Sequence, residues 1–359
     1  MTAAVRTVLV TGASGVVGTA LLPHLAPANV IALVHRTACP GAQESLPGDI
    51  TAPGFGLDTD TYKALARRVD AVVHCAANTG FSIGRQVAED VNVAGTRTMA
   101  QFAADAGAVL YHISTAFVAR AELTRDSLGH DTRDAAARPE DYLDSKRAAE
   151  RVVRDSGVPA VIVRPSVVIG DSVTGVISRF QGLHDISAMV LRNHLPLVPI
   201  PAPSRLDFLP CDVVGRAVGE LVASEYDQGE VWLTAGRAAL TTEQVVDLII
   251  ETGTRLGLEL HRPRTVGPEM VDRLIRPVFI DPLPAAAKRR FDDLLAITAL
   301  FVNAPVFPST LGTLPVHPAP PSQEQVADAY RASLAYLAET KGIATKGIAT
   351  TAVPAGASV

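Results

Sequence analysis

The chain has 359 residues, 48% hydrophobic and 19% charged, with 37 acidic against 32 basic side chains and a formal charge of −5. This is an ordinary globular composition, with core enough for one large domain or two moderate ones; no basic excess points to nucleic acid, and no apolar run approaches the ~18 residues of a membrane span. Three scattered cysteines and nine histidines, none in HExxH or Cys/His zinc spacing, argue against a disulfide framework or a metal centre.

An apolar run that begins by residue 7 leaves no room for a signal peptide, so a soluble, reduced, cytoplasmic protein is expected. Residues 7–25, TVLVTGASGVVGTALLPHL, organise the rest of the chain. Thr7, Val8, Leu9 and Val10 predict a buried parallel strand. A glycine-rich turn comes next, then an apolar helix that stops at or just after Pro23. Each missing Cβ lets backbone approach something closely: Gly12 for the turn, Gly15 for a pyrophosphate, Gly18 for helix–strand packing. The helix that starts there aims N–H groups at the same spot, which suits a diphosphate; a tight turn with no ligand is the plainer alternative.

A second strand over 30–34 ends in His35-Arg36. An NAD-preferring site commonly carries an acid here for the ribose 2′-hydroxyl; a cation suits a 2′-phosphate. Gly48-Asp49-Ile50 places a carboxylate on a loop, where it can accept from an adenine amine or simply serve a turn. Residues 58–69 have helical spacing, and 70–75 form a third strand that breaks into Ala76-Ala77-Asn78-Thr79-Gly80-Phe81, small residues that let backbone pass close to a flat ligand. A long helix is expected over 86–106, where Gly95 and its β-branched neighbours have a packing role. The strand at 109–114 ends Ser114-Thr115. His74 and His112 lie in strands and read as satisfied core histidines.

Tyr142-Leu143-Asp144-Ser145-Lys146 begins a helix that stops at Gly157. Tyr142 and Lys146 lie one turn apart on one face, and an ammonium near a phenol is expected to lower the tyrosine pKa and make it a better proton donor. A further strand over 159–164 is closed by Pro165. Repeated alternation of strands and helices predicts a Rossmann-like α/β fold with a doubly wound parallel sheet. Beyond Gly170 the pattern loosens. Helices are expected over 177–193, 241–257 and 322–339, with a proline-stiffened connection at 195–203. Segments 207–222 and 231–234 are expected to return to the sheet, while 260–320 shows no clear periodicity. The expected organisation is a dinucleotide-binding domain over 1–170, an interwoven substrate-binding subdomain over 171–339 and a disordered tail over 340–359, where KGIAT occurs twice.

In this order, TGASGVVG, GDI, HCAANTGF, NVAGT, ISTAFV, YLDSK, RPSVVIGDSVTG and LDFLPCDVV resemble the extended short-chain dehydrogenase/reductase superfamily over residues 7 to about 235. Within it, HCAANTGF, STAFV and RPSVVIGDSVTG are most similar to the thioester-reductase branch: fatty acyl-CoA reductases, the male sterility proteins, and terminal reductase domains of peptide synthetases and carboxylic acid reductases. The resemblance implies a catalytic Thr115, Tyr142 and Lys146. It implies NADPH on Gly12, Ser14, Gly15, Val16, Gly18, Arg36, Asp49 and Ile50, lined by Ala76, Ala77 and Asn78, with Pro165 and Val168 meeting the nicotinamide. Asn92 matches a position that orders the site through the lysine or a water. The implied substrate is a small carbonyl compound or an acyl thioester, brought in trans by a carrier protein, since the chain has no carrier domain of its own. The segment between Arg36 and Gly48 is shorter than in the large reductases of this branch, as if a strand–helix unit were trimmed. That leaves three alternatives: a free-standing aldehyde or ketone reductase, a nucleotide-sugar epimerase or dehydratase, and a non-catalytic NADP-sensing protein.

Overall fold

Strand β1 (Thr7–Thr11) is buried along its whole length because both faces of its sheet are covered. The computed structural model describes residues 6–82, 84–123, 139–302, 306–313 and 318–343. In chain order the further strands of three or more residues are β2 (Asn29–Val34), β3 (Glu44–Pro47), β4 (Ala71–His74), β5 (Val109–Ile113) and β6 (Ala160–Pro165), then β7 (Val167–Ile169), β8 (Phe208–Pro210) and β9 (Gly229–Leu233). Seven of them form one sheet in the order β9-β6-β5-β4-β1-β2-β3, every neighbouring pair parallel. The doubly wound parallel sheet expected from the alternating pattern is therefore present. Its order reverses between β1 and β4, and in such sheets the crevice at the carboxyl ends of the strands beside that reversal takes the ligand.

Side-chain alternation along the strands builds two cores. Leu9, Ile31, Val72, Leu110 and Ile162 face one layer, with Leu65 of α2 (Thr59–Ala66), Met99 and Phe102 of α3 (Gly95–Ala106) and Val153 of α4 (Pro139–Asp155). Val8, Val10, Val73, Tyr111 and Val163 face the other, against α1 (Val16–Leu21) and the C-terminal helices. These are α5 (Gly182–Leu191), α6 (Cys211–Ala223), α7 (Thr242–Arg255), α8 (Ala285–Thr298) and α9 (Gln323–Thr340). Helix α6 lies almost backbone to backbone on α1, since a Cβ at Gly215 would stand 2.3 Å from Ala20 O. Gly175 of the GDSVTG loop makes the same kind of contact with α9, at 2.1 Å from Ala332 O.

Several boundaries differ from expectation for physical reasons. The segment after Arg36 forms a strand, β3, with no helix between it and β2. Residues 207–222 do not themselves rejoin the main sheet, which is regained only at β9: β8 pairs with β7 apart from it, and the rest is helix α6. Helix α5 begins at Gly182 rather than 177. In the proline-rich region, α8 forms between Pro284 and Ala299, hidden from sequence reading because its flanks are aperiodic. Helix α9 runs to Thr340, Lys341 sets its ammonium over the Phe180 ring at 5.2 Å, and residues 344–359, most of the expected tail, lie outside the described residues.

Candidate active site

The glycine turn closes with Gly15 N–H on Gly12 O at 2.9 Å. Gly12 sits at φ +66°, and a Cβ there would stand 2.6 Å from the Ala76 nitrogen, so the loop after β4 crosses directly over the turn. Gly18 packs back on the turn in the same way, at 2.3 Å from Gly12 O. Gly15 differs. Among the described residues only Gly12 O, at 3.1 Å, stands near its absent Cβ, so that side of the turn is otherwise open, with Ser14 exposed and Val16 half-buried beside it.

Arg36 is exposed just past the end of β2. Asp49 accepts from Thr51 N and Thr51 Oγ1, both at 2.8 Å, and lies 3.7 Å from His35. Those hydrogen bonds, helped by His35 and Arg36, hold its pKa below the ordinary carboxylate value. Asp49 thus serves its own turn. Ile50 fills the space where a Cβ on Gly95 would lie, 2.8 Å from Ile50 Cδ1, which explains a glycine inside a helix.

Ala76, Ala77 and Asn78 are half-buried at the end of β4. Asn92, 2% exposed, holds this loop in place. Its Oδ1 accepts from Asn78 N at 2.8 Å, and its Nδ2 donates to Asn78 O at 3.0 Å and to Ser145 Oγ at 2.9 Å. It thereby ties the loop after β4 to Ser145 on α4. A π-helical turn over Glu89–Ala94 brings it there, ahead of α3.

Thr115, Tyr142 and Lys146 come together at the ends of β5 and α4, all buried. Lys146 Nζ donates to Ile113 O at 2.8 Å, which uses one of its three donors. Burial lowers its pKa to about 8, against partial compensation from Cys75 and Glu150. Tyr142 moves the opposite way from the sequence expectation: burial raises its pKa to about 12, and only the Thr115 hydroxyl pulls it back. Lys146, itself close to losing its proton as pH rises past 8, is already neutral before a phenol of this pKa ionises. Phe81 sets its ring edge-on to Tyr142, with centroids 5.6 Å apart at 82°, and also packs on Ala296 of α8.

Two histidines lie beneath the lysine. His74 is satisfied as expected, with Thr11 Oγ1 at 2.7 Å and Thr96 Oγ1 at 3.2 Å. His112 is not: neither ring nitrogen has a hydrogen-bond partner among the described residues. Burial first and Lys146 second push both pKa values down, His74 to about 3, so both are neutral near pH 7. Pro165 is buried at the end of β6, and Val168 is half-buried in β7.

Sequence reasoning did not single out Arg120 as part of the site's frame. It is 2% exposed, 4.5 Å from the Phe307 ring centre and 5.5 Å from that of Phe117, and it donates to Leu300 O. Burial lowers its pKa to about 10, and Asp207 partly restores it. An arginine three residues after a strand-end Ser-Thr-Ala-Phe carries no periodic signal that could have marked it.

The parallel sheet, its glycine turn and the Tyr-x-x-x-Lys helix at the strand ends define the extended short-chain dehydrogenase/reductase class. Residues 43–218 match the family model described as male sterility protein, an NAD-binding family, and the chain belongs to that branch of the superfamily. The hybrid PKS-NRPS synthetase poxE of Penicillium oxalicum is 30% identical over 285 residues, 73% of this chain but 6% of that protein. The chain therefore spans a small fraction of the curated relatives it matches. The terminal R domain from the myxalamid PKS-NRPS pathway superposes with a TM-score of 0.68 at 21% identity, covering 95% of this chain and 92% of its own. A UDP-N-acetylglucosamine 4-epimerase from Bacillus cereus shares the fold more loosely, with a TM-score of 0.53 at 18% identity over 81% of this chain and 96% of its own. Among the described residues no helix is long and apolar enough to cross a membrane, and no cluster of three His, Cys, Asp or Glu could hold a metal ion.

Proposed function

We propose that the chain is an NADPH-dependent reductase of acyl thioesters, acting on a substrate presented by a carrier protein. The observation that carries this reading is the buried grouping of Thr115, Tyr142 and Lys146 at the carboxyl end of β5 and the start of α4, with the Thr115 hydroxyl bonded to Tyr142. The name of the poxE relative, a PKS-NRPS synthetase, supports a thioester over a sugar nucleotide. The residues present suit the cofactor: an open glycine turn for the diphosphate, Arg36 for the 2′-phosphate, Asn78 and Pro165 beside the nicotinamide, and unspent donors on Lys146 for the ribose.

NADPH, when bound, supplies the hydride. Tyr142, protonated throughout the neutral range, donates its proton to the carbonyl oxygen as negative charge develops there. The Thr115 hydroxyl holds the same oxygen, and the Lys146 ammonium stabilises the phenolate left behind. The carbonyl carbon of a thioester gains a hydrogen and becomes a hemithioacetal. Its C–S bond then breaks, the thiol leaves with a proton, and an aldehyde remains, which a second cycle would take to the alcohol.

The test is NADPH consumption over acyl-CoA, acyl-carrier, aldehyde, ketone and UDP-sugar substrates, with a thiol reagent present. A thioester substrate releases one free thiol per aldehyde formed. Turnover of simple aldehydes or ketones without any thioester moves the protein to the free-standing carbonyl reductases, and turnover of a UDP-sugar moves it to the sugar-modifying relatives.

The same reading makes Arg36 the selector of NADPH over NADH. A charge-assisted hydrogen bond of roughly 1.5–3 kcal/mol gives a preference of about ten- to a hundred-fold. Calorimetry with both dinucleotides checks it, and the preference disappears in Arg36→Ala.

A further inference from the structure

One carboxylate touches all three segments that build the site. Glu150, one turn beyond Lys146 on α4, is 2% exposed. Its Oε1 accepts from Ser114 Oγ at 2.6 Å and Arg164 Nε at 2.9 Å; its Oε2 accepts from Arg164 Nη2 at 2.7 Å and Arg154 Nη2 at 2.8 Å. Ser114 is the residue before Thr115, and Arg164 the residue before Pro165. Glu150 itself rides on the helix of Tyr142 and Lys146. Arg164 is braced from behind, with Nη1 on Glu230 Oε2 at 2.5 Å and its guanidinium 4.6 Å over the Trp232 ring.

Burial alone would raise the Glu150 pKa, but the bonds from Arg164 and Ser114 outweigh it, so the pKa is lowered and the group stays charged. Stability is a weak reason to keep such a group, because apolar residues of similar volume often replace a buried ion network without loss. What a rigid bidentate pair with a third and fourth donor does supply is fixed spacing among the elements it joins.

We propose that Glu150 is a positioning residue, setting the separation of the Thr115 strand end, the Tyr142–Lys146 helix and the Pro165 strand end. The proposal rests on the Thr-Tyr-Lys site of the proposed reductase. It assigns Glu150 no contact with substrate or cofactor.

The experiment uses the full chain with Ser114→Ala, Glu150→Gln and Glu230→Gln. It measures melting temperature, kcat and KM across pH, and the titration of Lys146 followed by NMR of ε-¹³C-labelled lysine. Ser114→Ala lowers kcat about tenfold with KM and melting temperature nearly unchanged. Glu150→Gln removes a negative neighbour of Lys146 and moves both its titration and the alkaline limb of kcat down by about one pH unit. Glu230→Gln, which strips only the outer carboxylate, lowers the melting temperature and leaves the pH profile in place. Wild-type kcat in Ser114→Ala together with one shared pH profile makes Glu150 a core ion pair and overturns the proposal. Where Glu150→Gln does not fold, unchanged kcat in Ser114→Ala alone overturns it. Where no protein, wild type included, consumes NADPH, it is the proposed function that falls; the Lys146 titration in Glu150→Gln then decides the positioning role.

Discussion

Burial pushes both Tyr142 and Lys146 toward their uncharged forms. A phenol held near pKa 12 keeps its proton at neutral pH, and an ammonium held near pKa 8 is close to losing its own. Tyr142→Phe removes one hydroxyl from a buried ring, so it is expected to fold and bind cofactor like the wild type while losing at least the ~10²-fold typical of a missing general acid. Steady-state kinetics beside calorimetry separates the two effects. The lysine gives a pH signature whose sign follows from its depressed folded-state pKa. Between about pH 8 and its ordinary value of 10.5 the unfolded chain holds the proton more tightly, so this residue's destabilising effect is full below pH 8 and fades as pH rises. Activity that needs the ammonium runs in the opposite direction and declines above about pH 8. Lys146→Met is accordingly expected to melt at or above the wild-type temperature at pH 7, with that margin narrowing toward pH 10, while turnover collapses. Thermal melts across pH check the first expectation and initial rates the second.

Elements are legible where hydrophobic period and glycine chemistry agree, and obscure where long-range packing decides. The strands β1, β2, β4, β5 and β6 stand out as apolar runs because both faces of the sheet are buried. Strand β3 does not, because its pattern, Glu-Ser-Leu-Pro, is that of a half-exposed edge. Tyr142 and Lys146 are visible as a helical pair, yet the direction of the tyrosine shift is not, since sequence spacing says nothing of how deeply a phenol is buried. His112 shows the same limit. Gly215, an unremarked glycine in LDFLPCDVVGRAVGE, turns out to set how closely α6 lies on α1. Gly215→Val drives a side chain into the Ala20 carbonyl, where backbone has to yield. The expected cost therefore exceeds the roughly 1–3 kcal/mol of ordinary overpacking. A urea titration checks it, and loss of cofactor affinity should accompany it because α1 carries the glycine turn.

At the scale of the whole molecule, the crevice is framed by parts that are far apart in sequence. The turn after β1 and the ends of β4, β5 and β6 supply the groove, and the C-terminal half closes the other side through Phe301 and Phe307, each edge-on to Phe117 at 5.4 and 5.3 Å. The same C-terminal segment seals the outer edge of β9: Thr310 N–H donates to Trp232 O at 3.0 Å, Trp232 N–H to Thr310 Oγ1 at 3.0 Å, and Thr234 Oγ1 to Pro308 O at 2.6 Å. On a translating ribosome this arrangement imposes a delay. Strands β1 to β6 emerge first, and at roughly 5–20 residues per second it takes on the order of ten seconds before the segment that covers the last edge is synthesised. Throughout that interval the half-made sheet offers unpaired N–H and C=O groups along one side, a template for chaperones or for a neighbouring nascent copy.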